Sequence, residues 1–252
     1  MSAVKKILPP QPRGIDRRAE PRQGQVDWRV NPRSYDFVGT TFDPLTPLQT
    51  LARCKWITTQ HGFRYIVTPN VDHIVRLKKE PEVFNLLYKT SWISVCDSRI
   101  LELLANFSGI PLRAVPGSDL TAQLFDNVIS EDDPITVIGA DETIVGQVRA
   151  KYNLKNLHHY EPPMGLRHKQ DEVAKTAEFI AAHPSRYVFI CVGASLEFLT
   201  GKVKRAPKWM QEARLEWLFR LASEPKRLWK RYLVEGPKIF WIWLQWSLSK
   251  KR

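Results

Sequence analysis

The chain has 252 residues, 43% of them apolar and 25% charged, with a net charge of +12, the balance of a globular protein long enough to bury a real core. Its three cysteines, Cys54, Cys96 and Cys191, stand far apart in apolar stretches, which excludes a disulfide framework and a cysteine-based metal site and fits a reducing compartment. There is no run of 18 apolar residues to span a bilayer, and the opening MSAVKKILPPQPRG lacks the apolar stretch of a secretory signal.

Taken in chain order, residues 1–33 hold eight Lys/Arg against three Asp/Glu, five prolines and little apolar periodicity. This basic head is predicted to be disordered. Residues 34–200 form the body, near neutral with 16 Lys/Arg against 19 Asp/Glu. Within it, FRYIVT (63–68) runs through Pro69 and Asn70 into a helical pattern with Ile74, Val75 and Leu77 on one face. WISVC (92–96) leads through Asp97 into Ile100, Leu101, Leu103 and Leu104. ITVIGA (135–140) leads through Asp141 into Ile144, Val145 and Val148, and YVFICVG (187–193) through Ala194 and Ser195 into Leu196, Phe198 and Leu199. Apolar strands alternating with helices predict an α/β fold, a mainly parallel Rossmann-like sheet flanked by helices.

In such sheets ligands bind outside the carboxyl ends of the strands. Asn70, Asp97, Asp141 and Gly193 all fall at that edge. Asp and Asn are also favoured helix N-caps, worth about 1 kcal/mol without any ligand. Gly139 serves either a tight turn or a backbone approach to phosphate, and Gly117-Ser118-Asp119 either caps a helix or offers amides to an anion. Neither G-x-G-x-x-G nor a P-loop occurs, which argues against a dinucleotide or P-loop enzyme. The six histidines form no H-E-x-x-H, and His158 and His159 would diverge on a strand, so neither metal nor cofactor is expected.

Residues 201–252 hold 14 Lys/Arg against 4 Asp/Glu, a local charge of +10, and six of the nine tryptophans. A helix is predicted from Ser223 and Pro225, with Leu228, Trp229, Tyr232 and Leu233 on one face and Lys226, Arg227, Lys230 and Arg231 on the other. Gly236-Pro237 is predicted to end it, before IFWIWLQWSL (239–248). Tryptophan and basic residues settle at lipid interfaces, so Trp229, Lys230, Arg231, Trp241, Trp243 and Trp246 are candidates for docking on an anionic membrane surface. The alternative is packing on the chain's own body or on an oligomer partner. Nucleic acid is not an expected partner, because the body is slightly acidic and the charge lies on an amphipathic tail.

Six stretches carry a resemblance. TPNVDHIVRL (68–77), VCDSRILELL (95–104), VPGSDL (115–120), ITVIGADETIV (135–145), YEPPMG (160–165) and GASLEFLTGKVKRAPKWMQEARLEWLFRLASEPKRLWKRYL (193–233) together resemble the WecG/TagA/CpsF family of bacterial glycosyltransferases. The resemblance implies an inverting, metal-independent transfer from a UDP-sugar donor to a polyprenyl-diphosphate-linked acceptor in cell-surface or exopolysaccharide biosynthesis. The sugar would be of the N-acetylmannosamine, mannosaminuronic acid or glucose type. The enzyme would sit on the inner face of the cell membrane, docked by its helical appendage. Asp97 falls at the family's general base. Thr68, Asn70 and Arg113 fall at the sugar pocket, Gly117, Asp119 and Gly139 at substrate-facing loops, and Gly193 and Glu197 near the nucleotide.

One departure stands out. Family members carry a strand ending in V-G-x-P-[KR]-Q-E, then a helix and a second strand. Here HPSRYVFI runs directly into CVGASLEFLTG, as though one unit were missing near residues 190–191. This leaves a second expectation open: a catalytically impaired relative that still binds nucleotide sugar, membrane or a partner enzyme.

Overall fold

The computed structural model describes residues 34–190, 195–203 and 206–250. The predicted disordered head and Gly193 lie outside them. A short hairpin, β1 (Tyr35–Phe37) and β2 (Thr40–Phe42), opens the body and is followed by α1 (Pro47–Trp56). Then come β3 (Ile66–Val67), α2 (Val71–Lys79), α3 (Pro81–Lys89), β4 (Ile93–Ser94), α4 (Arg99–Phe107) and α5 (Gly117–Asn127). A second run holds β5 (Ile135–Ile138), α6 (Glu142–Tyr152), β6 (Leu157–Tyr160), α7 (Gln170–Ala182), β7 (Tyr187–Ile190) and α8 (Ser195–Thr200). The basic tail folds into α9 (Lys208–Glu212), α10 (Glu216–Ser223), α11 (Pro225–Trp229), a π-helical turn (Lys230–Glu235) and α12 (Lys238–Ser249).

The parallel strands are present, but among the described residues they do not form one continuous sheet. β3 pairs with β4, and β6-β5-β7 form a separate parallel sheet. Beyond β4 the pairing continues as single bonds, Val95 N–H to Val67 O at 3.0 Å and Asp97 N–H to Pro69 O at 2.9 Å, with a bridge from Cys96 to Ala114. The two halves meet through side chains. Tyr187 and Phe189 of β7 pack on the cluster that buries Ile93, Val95, Val115, Leu120 and Leu124. Apolar burial, which needs no directional ladder, does the joining there.

Arg186 reinforces that junction. Its guanidinium donates to both oxygens of Asp133 at 3.0 Å, to Lys55 O at 2.8 Å and to Ile57 O at 2.9 Å, tying the end of α1 to the start of β7. Burial works against the Asp133 charge, yet the Ser130 amide and Arg186 outweigh it and hold the carboxyl below its ordinary value. A depressed folded value means that this stabilisation is present at neutral pH and is lost as the pH falls through the carboxylate range. Arg186→Ala is expected to cost about 2–3 kcal/mol in urea unfolding at pH 7. The deficit should shrink at acid pH as Asp133 protonates.

The last helix is part of the body. Ile239 and Ile242 of α12 are buried in the same cluster as Phe37, Phe42, Ile74, Leu101 and Leu104. The helix break predicted at Gly236-Pro237 is present: the π-helical turn ends at Glu235, residues 236–237 form a turn, and α12 starts at Lys238. The Gly236 amide bonds back to Arg231 O at 2.8 Å, closing the π turn. A Cβ on Gly236 would stand 3.0 Å from Tyr232 O and 3.1 Å from Arg231 O, so a larger residue would push the turn open.

Candidate active site

The strand edge separates the aspartates that sequence alone left ambiguous. Asp141 caps α6, its side chain accepting from the Ile144 amide at 2.9 Å, and lies 3.4 Å from Lys202 Nζ. Asp97 does not cap its helix. Ser98 does, with its Oγ accepting from the Leu101 amide at 3.3 Å. The serine frees the preceding carboxylate for other partners.

Those partners converge from three directions. Asn70 caps α2 through its oxygen, which accepts from the His73 amide at 3.2 Å, while His73 Nδ1 accepts from the Asn70 amide. With its oxygen so used, the Asn70 side-chain NH2 is the donor to Asp97. The second donor is the Gly117 backbone amide at the first position of α5. Thr68 closes the floor, its Oγ1 lying 2.9 Å from where a Cβ on Gly117 would be. A side chain there would collide with Thr68, so glycine lets the helix start come this close. From the tail, Glu216 and Arg220 act on Asp97 with opposite sign. Burial is the largest influence and pushes the Asp97 carboxyl up to about 7, against the downward pull of the Gly117 amide. A carboxyl of that value is ionised about half the time at neutral pH and is far more basic than an ordinary aspartate.

The other candidates are placed as follows. The Gly117 amide, at the first position of α5, is spent on Asp97. Asp119 faces a shallow cleft of about 120 Å³ that is also lined by Pro47, Arg99, Pro116 and Gln123. Arg113 is exposed, next to the Ala114 that bridges Cys96, and the structure gives it no contact with Asp97. Gly139 and Ala140 both take positive φ, +87° and +61°. The Gly139 amide is spent on Tyr160 O at 2.8 Å and its carbonyl faces His159 Nε2 at 3.0 Å, so its local geometry is that of a turn. His158 and His159 diverge on β6, His159 toward Glu142 and His158 onto the His183 ring. Glu197 lies near Arg227, whose charge is held first by Glu224 and then by Glu197.

Sequence reasoning missed Glu216 and Arg220 as site residues. They stand four apart in LEWLFR, which puts them on one helical face, but no motif or spacing in the tail points to Asp97. Arg231, another tail cation, lies near His73, whose value is lowered first by burial, with Arg231 adding to the effect.

The tail's tryptophans divide. Trp229 and Trp241 are exposed, 51% and 63%, and Lys230 is exposed beside them. Trp243 and Trp246 face inward: Trp243 Nε1 donates to Ser108 Oγ at 2.8 Å, and Trp246 meets the Phe37 ring edge-on at 5.0 Å. Among the described residues no helix is long and apolar enough to cross a membrane.

The chain matches the family described as "Glycosyl transferase WecG/TagA/CpsF family" over residues 35–191 and again over 169–252. Together the two stretches span the body and the tail. The chain belongs to the WecG/TagA/CpsF family of glycosyltransferases.

Proposed function

We propose that this chain is an inverting transferase that moves a sugar from a UDP donor to the hydroxyl of a polyprenyl-diphosphate-linked acceptor, with Asp97 as general base. The observation that carries the reading is a partly buried carboxylate at a strand end, left free by Ser98 and kept basic by its surroundings. In the proposed step Asp97 takes the acceptor's O–H proton as that oxygen bonds to the anomeric carbon. The bond from that carbon to the diphosphate breaks, and its electron pair leaves with UDP. Thr68 and Asn70 border the sugar. Arg220, with Arg227 and Arg231 further along the tail, supplies positive charge for the diphosphate. The sugar is of the N-acetylmannosamine, mannosaminuronic acid or glucose type, and the product feeds cell-surface polysaccharide.

The tail also presents the docking surface for the leaflet that holds the acceptor. Trp229, Leu233, Phe240, Trp241 and Leu244 are exposed, and Lys226, Lys230 and Lys238 are exposed among them. Basic residues near an anionic leaflet contribute about 1 kcal/mol each, and interfacial tryptophans add to that. Trp243 and Trp246 serve the body's core in this reading.

A second reading is favoured by the family match itself. Its two stretches share residues 169–191, which hold α7 and β7. A helix–strand unit matched in both stretches is what loss of one of two similar successive units would leave. A relative without that unit would bind donor or membrane and transfer slowly or not at all. UDP separates the cases. Saturating UDP at 100 times its Kd should stabilise the native state by about 2.7 kcal/mol, raising Tm by roughly 5–10 °C for a chain of this size. A shift with turnover of a UDP-sugar supports the transferase; a shift without turnover supports the impaired relative. No shift at millimolar UDP would contradict the transferase and leave, of the second reading, only a relative that binds membrane or a partner enzyme.

A further inference from the structure

The segment Thr68-Pro69-Asn70 is held from two sides. On the site side, the Pro69 carbonyl accepts from the Asp97 amide at 2.9 Å, and Thr68 Oγ1 lies 2.9 Å from where a Cβ on Gly117 would be. On the helix side stands His73, at the third position of α2. Its Nδ1 accepts from the Asn70 backbone amide at 3.3 Å, and its own backbone amide donates to Asn70 Oδ1 at 3.2 Å. That second bond sets this cap apart from its neighbours. Ser98 and Asp141 also cap helices behind strands, but the residues three further on are Leu101 and Ile144, whose apolar side chains return no bond. A one-way cap already serves the helix end. At Asn70 the reciprocal pair fixes the backbone of the capping residue together with its side-chain oxygen. The bond also needs a neutral ring, because imidazolium carries a proton on Nδ1 and cannot accept there. His73 is half-buried, its ring 6.4 Å from that of the buried Tyr88, and burial holds its basicity below the ordinary histidine value.

We propose that His73 is a positioning residue for the transfer: its two hydrogen bonds with Asn70 hold the Asn70 carboxamide in one orientation, oxygen toward α2 and NH2 toward the strand edge where the sugar and the base meet. The proposal rests on the reading of residues 68–70 as the border of the sugar pocket beside Asp97. A carboxamide that turns over exchanges a donor for an acceptor, so an unlocked Asn70 would present the wrong group to the site for part of the time. Misplacement of that kind costs up to about 10²-fold in rate. His73 touches neither substrate nor base in this account and acts only through Asn70.

The test has two arms, and the first needs no turnover. The full chain is labelled with 15N-asparagine, and the Asn70 side-chain signals are assigned by their loss in Asn70→Asp. The wild type should show two sharp, separate NH2 proton resonances. They should broaden or move to the positions of an exposed asparagine in His73→Leu, and return in His73→Gln, because glutamine supplies the acceptor that a capping box uses at this position. In the second arm, kcat for transfer from a UDP-sugar should fall by about 10–100-fold in His73→Leu and recover most of that in His73→Gln. Adding Asn70→Ala to His73→Leu should lower it no further than Asn70→Ala alone. Wild-type Asn70 resonances in His73→Leu, resonances that stay lost in His73→Gln, or full transfer by His73→Leu where Asn70→Ala is impaired would each overturn the His73 proposal and leave the site reading standing. Undiminished transfer by Asn70→Ala would instead remove the reading of residues 68–70 on which the proposal rests.

Discussion

Asp97→Asn is expected to lower sugar transfer by about 10²–10⁴-fold, the usual contribution of a positioned general base, while making the folded protein more stable above pH 7. The two effects share a cause. Burial raises the Asp97 carboxyl to about 7 in the native state from a reference of 3.8. A raised acid costs nothing below the unfolded value, where it is protonated in both states. The cost grows through the interval between the two values and is complete above the folded one. The amide carries no charge to bury and still presents an oxygen to the Gly117 N–H or to Asn70. Asp97→Asn should therefore exceed the wild type by roughly 1–3 kcal/mol at pH 8 and match it near pH 4. Urea titrations at the two pH values measure this directly. A variant that is inactive and uniformly less stable would mean that Asp97 holds the fold together rather than being strained by it.

Ile239→Ala is expected to destabilise the whole protein by about 2–5 kcal/mol, the range for emptying a fully buried aliphatic site. Ile239 is 1% exposed and shares its cluster with Phe37, Ile74 and Leu101, so the cavity would open in the body as much as in the tail. Trp241→Ala, two positions on, removes a ring that is 63% exposed. It should leave chemical unfolding within about 0.5 kcal/mol of wild type and weaken flotation with anionic vesicles. The pair separates the two faces of α12, one that completes the core and one that is exposed and on the proposed reading docks on lipid. Equal losses of stability in both variants would contradict that division.

Much of the fold was legible because its signals are local. The apolar runs at 63–68, 92–96, 135–140 and 187–193 each hold a shorter strand (Ile66–Val67, Ile93–Ser94, Ile135–Ile138 and Tyr187–Ile190), and the helices behind them start at or just after the polar residues. What was not legible is long-range. Whether β4 and β7 share a ladder depends on backbone geometry far from either sequence, and Tyr187 and Phe189 bridge the gap with side chains instead. The same holds at the site. T-P-N, C-D-S and P-G-S mark three strand-end segments, and Thr68, Asn70, Asp97 and Gly117 do converge. Ser98, following Asp97, was itself the clue that capping did not require the aspartate. Glu216 and Arg220 were hidden because their relation to Asp97 is long-range, whereas the local signal of a basic, Trp-rich tail is only its amphipathicity. Trp243 and Trp246 misled for the same reason, as their composition suits a lipid interface and only packing reveals the Ser108 and Phe37 contacts.

The most direct measurement is the pH dependence of kcat/KM for transfer from the UDP-sugar to a soluble lipid-diphosphate acceptor analogue. A base held at a strand end by burial predicts a rate that falls tenfold per pH unit on the acid side, with its midpoint near 7. A rate that stays level down to pH 5, or one whose acid limb survives in Asp97→Asn, would show that some other group receives the proton.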